Sequence, residues 1–185
     1  TILSGDIQQD NKTGNNSKCI IRLEHTDSLT KVDGFTIEES YAGNSVSAAI
    51  VNKAYEDSSI VHLKNCIIKN NYALTGGGIL NFAEEPSDAE QDRLLAHTIM
   101  TNCTVEKNHA SENGGGIMLK TTRHSKHFIS RLSADSCSFK DNKSDSQGGA
   151  IGSPISDGLP QCQIKNSSFE NNYSKYDAMI FLSQY

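Results

Sequence analysis

The chain has 185 residues, 36% of them hydrophobic and 21% charged, and its formal net charge is −5. The negative net charge argues against a nucleic-acid-binding protein, and the mixture of both signs argues against a disordered acidic chain. No apolar run approaches the roughly 18 residues of a membrane-spanning helix. The chain begins with Thr1 and has no signal peptide, so we expect a single domain that is a fragment of a longer protein.

The first part of the chain differs from the rest. Residues 1–31 are rich in polar side chains such as Asn11, Asn15 and Asn16, and we predict an irregular or eroded first coil there. From 32 to 185 one motif recurs, at 35–40, 66–71, 103–108, 137–142 and 167–172. A glycine cluster that ends in isoleucine follows three of these copies, at 76–79, 114–117 and 148–151. The block 32–185 is therefore predicted to be a repeat array.

Apolar residues alternate within each copy, as in Leu132, Ala134 and Phe139. A period of two over short runs indicates β-strands, and no segment has the period of an amphipathic helix. Short strands separated by Gly, Asn and Ser turns, repeated at intervals of 30 to 37 residues, are typical of coils of a parallel β-helix. We predict an all-β fold: a right-handed single-stranded parallel β-helix (solenoid) of about five to six coils.

If the coils stack, equivalent residues should form columns. One position holds only large apolar residues and is predicted to face the interior: Ile37, Ile68, Val105, Phe139 and Phe169. The next position alternates in sign and is predicted to form a charge ladder on the outer face: Glu38, Lys69, Glu106, Lys140 and Glu170. Opposite charges on neighbouring strands attract and like charges repel, so the alternation is expected only if these residues are stacked neighbours.

The remaining repeated residues have a structural interpretation. The Asn at the end of each motif is predicted to point inwards, to stack its amide on those above and below, and to tolerate the left-handed backbone of a turn. The glycines supply positive φ or close approach where the coil bends. Of the five cysteines, Cys66, Cys103 and Cys137 share a column, in a spacing that fits no zinc motif. We interpret them as buried free thiols, because parallel stacking disfavours a disulfide; the redox state of Cys19 and Cys162 stays open.

Two coils carry insertions at one corner. The interval from the isoleucine to the next Cys-column residue is 16 residues in the shortest coils and 24 and 20 in the two others. The first insertion, 84–92, is acidic (Glu84, Glu85, Asp88, Glu90, Asp92) and the second, 120–127, is basic (Lys120, Arg123, His124, Lys126, His127). We expect these loops either to pair with each other or to form a binding surface. His124 and His127 are interpreted as exposed loop residues rather than metal ligands.

The motifs resemble a known family. Phe139-Lys-Asp-Asn142 and Phe169-Glu-Asn-Asn172 match an F-x-x-N motif, and Gly148-Gly-Ala-Ile151 matches a G-G-A-I motif. Paired, they resemble the repeats of polymorphic outer-membrane proteins of the autotransporter type. Leu3-Ser-Gly-Asp-Ile7 and Val32-Asp-Gly-Phe-Thr-Ile37 look similar to large β-helix surface proteins of Bacteroidetes. The resemblance implies a pectin-lyase-like architecture and a secreted or outer-surface location, often with an adhesive or scaffold role.

The function expected from these features is a non-catalytic bacterial cell-surface scaffold or adhesin segment. Its expected partner is either another protein, in an outer-membrane or surface complex, or a glycan. We expect it not to bind nucleic acid. The alternative is a fragment of a β-helical polysaccharide lyase or glycoside hydrolase. Glycoside hydrolysis requires two carboxyl groups at a defined separation, whereas lysines separate the carboxylates of the ladder. We therefore assign no catalytic, cofactor-binding or metal-binding residue and expect no cofactor.

Overall fold

A computed structural model describes residues 1–84, 93–122, 128–153 and 159–181 of the chain. These residues form 21 strands and one 3-10 turn, Thr13–Asn15. The strands are β1 (Ile2–Ser4), β2 (Ile21–Glu24), β3 (Lys31–Asp33), β4 (Thr36–Glu38), β5 (Ile50–Ala54), β6 (Ser59–Lys64), β7 (Ile67–Lys69), β8 (Tyr72–Ala73), β9 (Ile79–Ala83), β10 (Leu94–Thr101), β11 (Thr104–Glu106), β12 (His109–Ala110), β13 (Ile117–Thr121), β14 (Phe128–Asp135), β15 (Ser138–Lys140), β16 (Lys143–Ser144), β17 (Ile151–Gly152), β18 (Leu159–Lys165), β19 (Ser168–Glu170), β20 (Tyr173–Ser174) and β21 (Ile180–Phe181). In these ranges no helix has the length and apolar character needed to cross a membrane.

Each strand pairs in parallel with the equivalent strand of a neighbouring coil, and the strands form four sheets. Sheet A contains β1, β4, β7, β11, β15 and β19, and sheet B contains β2, β5, β9, β13, β17 and β21. Sheet C contains β3, β6, β10, β14 and β18, and the short sheet D contains β8, β12, β16 and β20. The predicted all-β parallel solenoid is confirmed, with about five turns. Residues 1–31 supply β1 and β2, which stack on β4 and β5.

The core is a column of side chains that runs along the solenoid axis. Ile37, Ile68, Val105 and Phe139 are fully buried and stack in register on sheet A, as predicted. The rings of Phe139 and Phe169 continue this column, with centroids 4.7 Å apart. Because side chains alternate across a strand, every second residue of each strand enters this narrow interior.

The predicted asparagine ladder is present beside the core. Asn108 Nδ2 donates to Asn142 Oδ1 at 3.0 Å and to the carbonyl of Ile68 at 2.9 Å. Its Oδ1 accepts from the backbone N–H and the Nδ2 of Asn71, at 3.1 and 2.9 Å. The same pattern joins Asn142 to Asn172. Each amide therefore links three successive coils and satisfies backbone groups that a turn would otherwise leave unpaired.

The left-handed backbone lies one residue earlier than predicted. At this corner of the coil, positive φ is found at the residue that precedes each position of the asparagine ladder, namely Glu39, Asn70, Lys107, Asp141 and Asn171. The assignment of this conformation to the ladder Asn was therefore wrong: the preceding residue takes the strained φ, and the Asn keeps a regular backbone that aims its amide inwards. The glycine corner is as expected, since Gly114 has φ +70° and a Cβ on Gly115 would lie 2.3 Å from the Lys143 carbonyl oxygen.

A buried polar cluster between sheets B and C was not predicted. Asn52 and Asn81 are both fully buried and stacked, with Asn52 Nδ2 donating to Asn81 Oδ1 at 2.8 Å. Hydroxyl groups complete the cluster: Ser59 donates to Asn52, Thr98 donates to Asn81, and Ser130 accepts from Asn81. Because every amide here has partners, the cluster can replace apolar packing at little cost.

Candidate functional site

The outer face of sheet A carries the predicted charge ladder. Glu38, Lys69, Glu106, Lys140 and Glu170 are strand neighbours in that order. Ion pairs form at both ends of this ladder: Lys69 Nζ lies 3.1 Å from Glu38, and Lys140 Nζ lies 3.8 Å from Glu170. Opposite charges on neighbouring strands contribute roughly 0.2–1 kcal/mol for each pair. The alternating ladder offsets all but one of its negative charges, so its features are those of a structural surface.

The cysteine column is buried and reduced, as interpreted from the sequence. Cys66, Cys103 and Cys137 are at most 3% exposed and form no disulfide. The adjoining thiols of Cys137 and Cys66, together with burial, raise the pKa of the Cys103 thiol. Cys19 and Cys162 are also free thiols, and burial raises the pKa of each, to about 11 for Cys162. The thiolate is the reactive form, so neither of these half-buried cysteines is an activated nucleophile.

Most of the two corner insertions lies outside the described residues. Glu85, Asp88, Glu90, Asp92, Arg123, His124, Lys126 and His127 all fall there, so the pairing of the loops stays a prediction. At their described margins, Glu84 forms an ion pair with Lys53, and Lys120 Nζ lies 5.5 Å from the ring centre of Phe82. These contacts hold the bases of both loops against sheet B. Within the described ranges, His, Cys, Asp and Glu residues form no group of three that suits a metal ion.

The outer face of sheet C carries an open polar depression. Residues from β10, β14 and β18 line it, chiefly His97, Arg131, Ser133, Gln161 and Gln163. A second depression shares Ser133 and Gln163 with the first and extends to Thr101 and Lys165. These side chains point outwards because the alternate residues of each strand, such as Thr98 and Leu132, fill the interior. The depression therefore crosses three coils on a rigid sheet.

Four side chains at the centre of this depression are held in place, in two pairs, by hydrogen bonds. His97 Nε2 and Ser133 Oγ are 2.9 Å apart, and Arg131 Nε donates to Gln161 Oε1 at 2.8 Å. Burial lowers the pKa of His97 to about 4, and the charges of Arg131 and His62 add to this effect. His97 is therefore neutral at pH 7, while the terminal N–H groups of Arg131 have no hydrogen-bond partner in the described part of the chain.

The charge of sheet C differs from that of the whole chain. Its described outward residues include four cationic side chains and only two carboxylates. The cations are Lys31, Lys64, Arg131 and Lys165, and the carboxylates are Asp33 and Asp135. Both carboxylates already accept hydrogen bonds, Asp33 from Asn65 and Asp135 from Asn166. The described outward residues of sheet C thus carry a net positive charge, on a chain whose net charge is −5.

A second outward column, on sheet D, was also missed in the sequence. It consists of the residue that immediately follows the asparagine-ladder position in each coil, namely Tyr41, Tyr72, His109, Lys143 and Tyr173. The rings of Tyr41 and Tyr72 stack with centroids 4.8 Å apart, and the ring of His109 meets Tyr72 edge-on at 5.0 Å. Asp145 binds both His109 and Lys143, each at 2.9 Å. The position after each ladder Asn was the signal that would have located this column.

Comparison with protein families gives a match for part of the chain. The model for the Chlamydia polymorphic membrane protein repeat matches residues 136–154. That segment contains both Phe139-Lys-Asp-Asn142 and Gly148-Gly-Ala-Ile151, the motifs on which the resemblance depended. No curated protein and no solved structure matches the chain. The segment and the parallel solenoid together show a β-helix repeat that is similar to those of polymorphic membrane proteins.

Proposed function

We propose that the chain is part of a bacterial surface protein at or outside the outer membrane, because its β-helix repeat is similar to those of polymorphic membrane proteins. It acts there as a non-catalytic, adhesin-like scaffold, and the outer face of sheet C binds an acidic glycan. The match to a polymorphic membrane protein repeat supports the location. The positive, open depression on sheet C supports the binding role, and this single observation carries the proposal.

The chemistry of the depression suits carboxylate or sulfate groups on a sugar chain. Arg131 presents free N–H groups that can bind an anionic oxygen pair, and Gln161 on the neighbouring strand holds its guanidinium through Nε. Gln163 and Ser133 offer neutral donors and acceptors for sugar hydroxyl groups. Because the depression is shallow and follows the strands across several coils, an extended polymer fits it better than a compact small molecule.

The geometry favours binding over glycoside hydrolysis. The two carboxylates on this face, Asp33 and Asp135, are three inter-strand steps apart, about 14 Å. Glycosidases place their two carboxyl groups roughly 5–10 Å apart. Hydrogen bonds from Asn166 and Ser136 lower the pKa of Asp135, so it stays ionised and cannot serve as a general acid near neutral pH.

The contact between His97 and Ser133 raises a hydrolase possibility that the electrostatics disfavour. A serine nucleophile requires a histidine base that is itself oriented by a third group, usually a carboxylate. No carboxylate of the described residues contacts His97, and a pKa of about 4 makes this imidazole a weak base. The pair is better suited to positioning a ligand oxygen between its two polar atoms.

The test is calorimetric titration of the chain with a heparin-derived hexasaccharide at low ionic strength. We expect Arg131→Gln to weaken binding about tenfold or more, because charge-assisted hydrogen bonds are lost. Arg22→Gln is the matched control, since Arg22 is an exposed arginine on sheet B, paired with Glu24 at 2.6 Å. Equal losses in both variants, or chain cleavage of the hexasaccharide, would overturn the proposal.

A further inference from the structure

A separate recess lies at the corner between sheets A and D, across the first three coils. Its volume is about 160 Å³, and the lining residues that bear on its chemistry are Asp6, Asn16, Glu39, Ser40, Tyr41 and Tyr72. Drug-sized ligands need pockets of roughly 300 Å³ or more. The recess is therefore sized for a single side chain or one sugar ring rather than for a polymer.

The recess forms where the asparagine ladder ends. Ser40 occupies the ladder position of its coil, and its backbone N–H donates to Asn71 Oδ1 at 3.0 Å. The hydroxyl of Ser40 is shorter than an asparagine amide, and its Oγ is buried without a hydrogen-bond partner although the residue is only 2% exposed. Asn16 uses its Nδ2 to bind the carbonyl of Glu39 at 2.8 Å, which leaves its own buried Oδ1 without a partner. Two oxygen atoms beside one recess thus lack partners.

The charge of the recess is negative. Asp6 is buried, and its two oxygens accept the backbone N–H groups of Asp10 and Asn11 at 3.3 and 3.0 Å, so the carboxylate is fixed at the wall. Glu39 Oε2 accepts from Ser4 Oγ at 2.8 Å, and its other oxygen has no partner. No lysine, arginine or histidine lines the recess, and neither carboxylate forms an ion pair with a described residue.

An aromatic wall completes the recess. Tyr41 and Tyr72 stack on each other with an interplanar angle of 15°, and both rings are half-buried. The faces and edges of such rings pack against apolar atoms, and their faces attract cations. A carboxylate, unpaired oxygens and an aromatic wall within one small recess are the groups that together recognise an ammonium ion on a short carbon chain or ring.

We propose that this recess binds a primary ammonium group, presented either by a lysine side chain of a partner protein or by an amino sugar. Glu39 supplies the counter-charge, Asn16 and Ser40 supply acceptor oxygens, and Tyr41 packs against the carbon atoms that carry the ammonium. The site is distinct from the sheet C face. Its ligand has the opposite charge, so one site can fail a test while the other passes.

The experiment is a ¹⁵N-resolved NMR titration of the whole chain with two ammonium probes, Nα-acetyl-lysine methylamide and glucosamine. The neutral controls are Nα-acetyl-norleucine methylamide and glucose, which keep the carbon skeleton of each probe and lack its ammonium group. We expect the ammonium probes to shift resonances of Asp6, Asn16 and Tyr41, and to bind at least about tenfold more tightly than their controls. The tighter of the two ammonium probes identifies the source of the group.

Two variants make the assignment specific. Glu39→Gln keeps the shape and the bond to Ser4 but removes the charge, and should weaken ammonium binding about tenfold. Asp141→Asn removes a carboxylate from the equivalent left-handed corner of a later coil and should leave binding unchanged. Equal affinity for charged and neutral probes, an unaffected Glu39→Gln variant, or no shift in the recess at about 20 mM probe would each overturn the proposal.

Discussion

Replacing Asn108 by Leu removes the central rung of the asparagine ladder. Four hydrogen bonds of its amide are lost, to Asn142, to the Ile68 carbonyl and to both donors of Asn71. The buried backbone N–H of Asn71 is left without an acceptor, which costs about 1–3 kcal/mol, and each of the other bonds contributes about 0.5–1.5 kcal/mol. Burial of the leucine side chain offsets part of this loss. We expect a net destabilisation of about 3 kcal/mol or more.

Urea unfolding followed by far-ultraviolet circular dichroism measures the free energy of unfolding of this variant. The matched control is Asn44→Leu, because Asn44 is exposed and outside the ladder; it should change stability by no more than about 0.5 kcal/mol. If Asn108→Leu loses as little as the control, the ladder does not stabilise the solenoid and the reasoning from its hydrogen bonds is wrong.

Three further substitutions test other parts of the structure. Lys140→Glu places like charges next to each other on the outer ladder and should cost about 0.5–1 kcal/mol at low salt, less in about 1 M salt; no cost at low salt would argue against the register. Gly115→Ala puts a methyl group 2.3 Å from a carbonyl oxygen and should cost at least about 2 kcal/mol, whereas Gly14→Ala, with nothing within 4 Å, should be neutral; equal effects would contradict the close approach of the coils. The folded-state pKa of His97 is lowered to about 4, so the unfolded chain binds the extra proton and stability should fall as pH drops from about 6.5 to 4. His97→Gln should flatten this acid limb of the stability curve, and superimposable curves would refute the shift.

The fold could be predicted from the sequence because a solenoid repeats one local pattern. Residues such as Ile68 and Val105 occupy equivalent positions, and stacking converts a sequence spacing of 37 residues into direct contact between Cα partners. The sign alternation from Lys69 to Glu106 then tests the alignment independently of the apolar column. Both signals survive insertions at the corners, since insertions change the spacing but not the order of columns.

The features that the repeat pattern did not reveal are those that occur in only part of the coils. Asn52 and Asn81 pair across two coils, but the next residue in their column is Leu119. Because the asparagine does not recur in every coil, the repeat pattern does not predict the buried polar cluster. The bond between His97 and Ser133 is diagonal, because the strand partner of His97 is Arg131. A diagonal contact depends on side-chain orientation, which strand periodicity leaves open. The proposed sites therefore depend on side-chain geometry that no repeat period encodes, whereas the scaffold that presents them follows from the repeat itself.

The most direct test of the binding role is a map of where an acidic sugar chain contacts the protein. A ¹⁵N-resolved NMR titration with a heparin-derived hexasaccharide, combined with chromatography of the sugar after incubation, reports both the site and any turnover. We predict resonance shifts confined to outward residues of sheet C, centred on His97, Arg131 and Gln161, with the hexasaccharide recovered intact. Shifts centred on the charge ladder of sheet A, shifts spread evenly over the surface, or shortened sugar products would contradict a non-catalytic glycan-binding face on sheet C.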